Sequence, residues 1–113
     1  MHELSIVESM VSTADSFARE HGIENVKRLT VQVGALTGVV PKYLTMYYSD
    51  VTEGTALEGS ELDIEEIPAE AFCRGCGEVF NPEETEEKCP ACGHESYDIL
   101  HGRELTIKEI AYI

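Results

Sequence analysis

The clearest chemistry in the chain belongs to its four cysteines, arranged as Cys73-Arg74-Gly75-Cys76, a gap of twelve residues, then Cys89-Pro90-Ala91-Cys92. A Cys-x-x-Cys pair is a metal-binding turn, in which the first thiolate sits on an extended arm and the chain doubles back to present the second. Gly77 and Gly93 follow the two pairs directly. A glycine there lets backbone N–H groups approach the sulfurs. Two such turns facing each other give a tetrahedron of four sulfurs, the closed geometry of structural Zn²⁺. Two disulfides, or four free thiols, are the competing readings. A closed four-sulfur site has no open position for water or substrate, so it implies a structural zinc ribbon and not catalysis.

A second donor set stands at the start. A free amine on Met1, the backbone nitrogen of His2 and the His2 imidazole can chelate one metal through fused rings. The backbone nitrogen of Glu3 would complete a four-nitrogen plane, which suits Ni(II) or Cu(II) rather than Zn²⁺ or Mg²⁺. Methionine before histidine is expected to escape trimming, so the amine would be that of Met1. Alone, this is a weak signal, and His2 reads more readily as part of a solvated terminus. Of the other histidines, His21 ends a helix where the dipole favours a cation. His94 reads as a spare ligand or a turn residue, and His101 as structural or solvated.

Charge restricts the partners. Lys and Arg number 8 against 22 Asp and Glu, for a formal net charge of −14. Four zinc-bound thiolates would add about −2 more. Glu78, Glu83, Glu84, Glu86 and Glu87 lie between the cysteine pairs beside a single Lys88. Phosphate binding needs clustered Lys and Arg, so nucleic-acid binding is not expected. No apolar run is long enough to span a membrane, and the start carries no signal-peptide pattern. With thiols kept as metal ligands, the chain is expected to be cytoplasmic.

The elements that must position these groups are legible as periodicities. Residues 4–21 form an amphipathic helix through Leu4, Val7, Val11, Ala14 and Ala18, closed by Gly22. Val26 to Gly34 alternates as a half-buried strand. A turn through Gly34-Ala35-Leu36-Thr37-Gly38 leads to Pro41, placed at the first position of a second helix that Gly54 ends. Glu61-Leu62-Asp63-Ile64-Glu65-Glu66-Ile67 and Glu104-Leu105-Thr106-Ile107-Lys108-Glu109-Ile110 resemble each other. Both alternate and then break phase at a glutamate, which predicts two strands with a similar bulge. They flank the cysteines, so the ribbon reads as an insertion between two strands of one sheet, hinged near Pro68 and Gly102. The expected fold is α+β: a three-stranded sheet with two helices over 1–68 and 101–113, and a four-cysteine zinc ribbon over 69–100.

Together, Met1-His2-Glu3-Leu4-Ser5, Gly34-Ala35-Leu36-Thr37-Gly38-Val39-Val40-Pro41, the two cysteine pairs and Lys108-Glu109-Ile110 resemble, in that order and over essentially the full chain, the HypA family of nickel metallochaperones in nickel–iron hydrogenase maturation. The resemblance implies a nickel-binding α/β domain with an inserted zinc domain. It implies structural zinc on Cys73, Cys76, Cys89 and Cys92, and labile Ni²⁺ cargo on Met1, His2 and Glu3. The implied partners are a maturation GTPase and the hydrogenase large subunit. Some members also serve urease. A homodimer is compatible with the chain. The alternative is a zinc-stiffened acidic adaptor with no metal transfer. No Ser/His/Asp set, H-E-x-x-H or phosphate loop supports an enzyme.

Overall fold

The computed structural model describes residues 2–113. Helix α1 runs Glu3–Glu20 and buries Val7, Val11, Ala14 and Ala18 of the expected stripe, while Leu4, expected in it, is exposed. Its end is a Schellman turn: Gly22 adopts φ 68°, Ile23 N–H reaches the Ala18 carbonyl at 2.8 Å and Gly22 N–H the Arg19 carbonyl at 3.3 Å. These bonds satisfy carbonyls that a helix end otherwise leaves without donors.

Strand β1 (Val26–Gly34) is the centre of a sheet ordered β2-β1-β6, with β2 at Glu61–Ile67 and β6 at Leu105–Tyr112. The β1–β2 pairing is parallel, as a connection through a helix demands, and β1–β6 is antiparallel. That helix, α2, spans Pro41–Thr52, with Pro41 at its first position. Gly54, just past its end, takes φ 80°. One sheet face packs on both helices through Leu29, Val31, Val33, Leu62 and Ile64, joined by Leu44, Tyr48 and Leu57. Leu29, Leu44 and Leu57 are among the largest fully buried side chains, each stabilising the fold by about 1.5–3 kcal/mol through burial. The opposite face is polar: Gln32 Nε2 donates to Glu65 at 3.1 Å and Lys108 Nζ to Glu65 at 2.7 Å.

The expectation of matched bulges is half right. In β6 the pairing passes from Thr30–Glu109 to Val31–Ile107, leaving Lys108 as the extra residue. That slip lets Ile107 and Ile110, three positions apart, both reach the core. Strand β2 pairs with β1 without interruption from Glu61 to Ile67. Regular alternation puts Ile67 on the face opposite Leu62 and Ile64.

Between β2 and β6 the chain builds a second, antiparallel sheet ordered β4-β3-β5, from Glu70–Cys73 (β3), Val79–Phe80 (β4) and Tyr97–His101 (β5). Its buried cluster is small: Ala71, Cys73, Phe80 and Cys89, with Tyr97 and Ile99 packed against it. A compact chain of this length would have a radius of gyration of about 13 Å. The observed value is 17.5 Å with a long axis of 53 Å, because the two sheets lie end to end.

The junction is a backbone crossing. Gly34 N–H donates to the Glu104 carbonyl and Leu36 N–H to the Gly102 carbonyl, both at 2.7 Å. A Cβ on Gly34 would sit 2.1 Å from the Gly102 oxygen, so the two chains meet where only glycine fits. Gly102, at φ 120°, is turned by its own N–H donating to Glu104 Oε1 at 2.6 Å. Glu104 Oε2 pairs with His101 Nδ1 at 2.8 Å. His101 therefore sits in the junction as a structural partner of Glu104.

Candidate metal centres

Cys73 ends β3 and Cys76 follows through a tight turn, closed by Gly77 N–H on the Cys73 carbonyl at 3.0 Å. The second pair repeats the arrangement, with Gly93 N–H on the Cys89 carbonyl at 2.8 Å. Gly77 and Gly93 have φ of 80° and 74°, which explains both glycines. Their N–H groups thus go to carbonyls. The N–H groups aimed at sulfur lie elsewhere: that of Gly75, inside the pair, is 3.3 Å from Cys73 Sγ, and those of Cys76 and Glu78 also point at thiols.

The four sulfurs converge, all within 4.8 Å of one another. Cys73 Sγ is 3.6 Å from Cys92 Sγ, and Cys76 Sγ is 3.5 Å from Cys89 Sγ. Disulfide bonding would require about 2.05 Å, so all four thiols are free. A tetrahedral Zn²⁺ with arms of about 2.3 Å has sulfurs about 3.8 Å apart, and the observed spacings fit. Cys73 and Cys89 are buried while Cys76 and Cys92 face outward.

Electrostatics favours a cation there. The backbone N–H groups of Cys76 and Gly75, opposed by burial, hold the Cys73 thiol down to about 6 with help from neighbouring thiols. Cys76 goes the other way. The Glu78 backbone N–H lowers it, but sharing a proton with Cys89 and the other sulfurs, together with burial, pushes it up to about 12. A bound dication favours the ionised form of its thiol ligands. The four cysteines are therefore a metal-binding site.

Among the described residues these cysteines form the one group of three or more His, Cys, Asp and Glu placed to hold a metal. His94 lies outside this group: its Nδ1 accepts the Ser96 N–H at 3.1 Å and its ring packs against Gly75. His21 stacks on Phe17 with ring centroids 4.1 Å apart, its Nδ1 2.9 Å from the Phe17 carbonyl.

At the other end, His2 is exposed and precedes α1 without a side-chain capping bond. Its carbonyl accepts the Ile6 N–H at 3.2 Å, so its backbone already leads into the helix. Met1 lies outside the described residues. Glu3 is buried, and its Oε2 accepts the Val40 N–H at 3.1 Å. That bond, opposed by burial and aided by the Glu3 backbone N–H, keeps the carboxyl below the usual carboxylate range. The structure thus places His2 and Glu3 side by side with opposite environments.

The role of the Glu3 side chain is not legible in the helical periodicity, which begins at Leu4. The signal lay at α2, whose N-cap is Val40, a residue with no side-chain oxygen to offer. An apolar N-cap before proline leaves helix-end donors in need of an acceptor from elsewhere. Glu3 supplies it, acting on the N-cap N–H as a capping-box glutamate would.

The family model described as hydrogenase/urease nickel incorporation, metallochaperone, HypA matches residues 1–112. "Hydrogenase maturation factor HypA" of Acidithiobacillus ferrooxidans is 36% identical over 110 residues, 97% of each chain. Its namesake from Chloroflexus aggregans is 42% identical over 108 residues, 95% of each. The fold matches the solution structure of the Ni metallochaperone HypA from Helicobacter pylori with a TM-score of 0.70 and 22% identity, covering 100% of this chain and 98% of that one. A chain with this fold, a converged four-cysteine site and full-length similarity of this order belongs to the HypA family, metallochaperones of nickel incorporation and not enzymes.

Proposed function

We propose that the chain binds Ni(II) through Met1, His2 and the Glu3 backbone nitrogen, and delivers it to the large subunit of a nickel–iron hydrogenase with a maturation GTPase as partner, in the cytoplasm. The observation that carries this reading is the contrast at the N-terminus. His2 is exposed, while the next residue is fixed in the fold by its carboxylate on Val40. A chaperone site needs one mobile side, to take and release cargo, and one fixed side, to recover its geometry. Protons compete for amide and imidazole nitrogens, so binding weakens on acidification.

The zinc ribbon, taken as 69–100 between the halves 1–68 and 101–113 of the nickel domain, completes the reading. Cys73, Cys76, Cys89 and Cys92 hold Zn²⁺, which supplies the cross-link that the ribbon's small core lacks. Partner contact displaces the terminus and frees the nickel.

The test is Ni(II) titration of metal-loaded protein with its native N-terminus, beside His2→Ala and a variant with one residue added before Met1. One tight nickel in the native protein alone, with the absorbance of a square-planar centre, is the expected result. Equal binding by all three moves the site elsewhere. No binding by any leaves the acidic adaptor as the better reading.

A further inference from the structure

The segment joining β1 to α2 connects both ends of the molecule. At one side Leu36 N–H holds the Gly102 carbonyl and Gly34 N–H holds that of Glu104, which fixes the segment to the chain returning from the ribbon. Within it, Thr37 Oγ1 donates to the Gly34 carbonyl at 2.8 Å and accepts the Val39 N–H at 3.2 Å. Gly38 supplies the left-handed turn at φ 75°, and Val39 is buried. At the far side Val40 N–H donates to Glu3. The bonds run from Gly102 to the first residue of α1, and Thr37 is the side chain that closes the turn between them.

We propose that Thr37 is a positioning residue for the N-terminal nickel site, acting through Val40 on Glu3. This rests on the nickel reading above. The Thr37 hydroxyl bridges a carbonyl and an N–H across the turn, which sets where Val40 N–H points. Val40 sets where the Glu3 carboxylate is held, and so the orientation of the Glu3 backbone nitrogen beside His2. The first turn of a helix frays when nothing holds it. A donor nitrogen on a fraying turn must be ordered each time metal binds, whereas one on a fixed turn is already in place. The ribbon's return strand grips the same turn through Gly102, so a displacement of the ribbon acts on the nickel ligands without touching them.

The experiment compares the intact metal-loaded protein with Thr37→Val, Thr37→Ser and His2→Ala. Its two readouts are the Ni(II) dissociation constant and the hydrogen exchange of the Val40 amide in nickel-free protein, with thermal melting as a check on folding. Losing a bridging hydroxyl corresponds to about a 3- to 10-fold change. Thr37→Val is expected to accelerate Val40 exchange and to weaken nickel binding by that factor each, and Thr37→Ser to restore both. His2→Ala should abolish nickel binding and leave Val40 exchange unchanged. If Thr37→Val matches the parent in nickel affinity while His2→Ala loses binding, the positioning role is wrong and the terminal site stands. If His2→Ala binds nickel like the parent, the terminal site itself falls, and the role of Thr37 with it.

Discussion

Replacing Gly34 by alanine tests whether the two sheets are joined by a pinned crossing or by a loose linker. Gly34 has φ −81° and ψ 148°, a conformation that alanine adopts freely, so the effect is purely steric. The new Cβ would lie 2.1 Å from the Gly102 oxygen, 2.2 Å from its carbonyl carbon and 2.8 Å from Arg103 N. All three are backbone atoms, which cannot rotate away. Restoring ordinary contact requires a retreat of about 1.3 Å, which stretches the bonds from Gly34 to Glu104 and from Leu36 to Gly102 beyond hydrogen-bonding range. Both glycines are buried, so the released groups do not all regain water. At about 1–3 kcal/mol for each of the two losses, the expected destabilisation is about 2–6 kcal/mol. That is a large part of the 5–15 kcal/mol typical of a whole domain. Gly59→Ala is the control: φ is 79° and the space is open, leaving only left-handed strain of about 1–2 kcal/mol. Urea unfolding followed by far-UV circular dichroism gives both values by linear extrapolation. A Gly34→Ala protein as stable as the parent, or less affected than Gly59→Ala, would refute the pinned crossing.

Two further outcomes follow from the site and the junction. Stripping the metal with a chelator should unfold the ribbon while leaving the β2-β1-β6 sheet and its helices intact, because the ribbon's own buried cluster is four residues against thirteen in the larger core. Residue-resolved amide exchange would show protection lost at Ala71 and kept at Leu29 and Val31; simultaneous loss would contradict it. The second concerns pH. Glu104, opposed by burial and aided by Glu70, raises the pKa of His101. A raised histidine adds stability that is fully present below its unfolded value of about 6.5 and is lost as pH rises through the folded value. His101→Gln should therefore melt below the parent in mild acid, with the gap closing in alkaline solution; a gap independent of pH would show that the charge is irrelevant.

Local chemistry made much of this protein readable. The spacing of the apolar residues in α1, the glycines after both helices and Pro41 at the head of α2 act within a turn or two of chain, where the sequence is its own context. The cysteine pairs belong to the same class, since each forms its own tight turn and the metal site needs only that the two turns meet. Tertiary structure decided the rest. Two nearly matching segments, Glu61–Ile67 and Glu104–Ile110, behave differently because Ile110 has core to fill and Ile67 has none, so only β6 slips at Lys108. Glu3 lies ahead of the periodic stretch, and its carboxylate has no role until α2 arrives with a cap that lacks a side-chain acceptor. The closeness of Gly34 to Gly102 spans sixty-eight positions that no periodicity relates. Short-range sterics and hydrogen bonds set the two helices, the three strands of the larger sheet and the metal-binding turns, so these were legible along the chain, whereas the ribbon's own three-stranded sheet was not. Only the packed chain decided register, crossing and the partner of Glu3, because those depend on which distant groups compete for the same buried space.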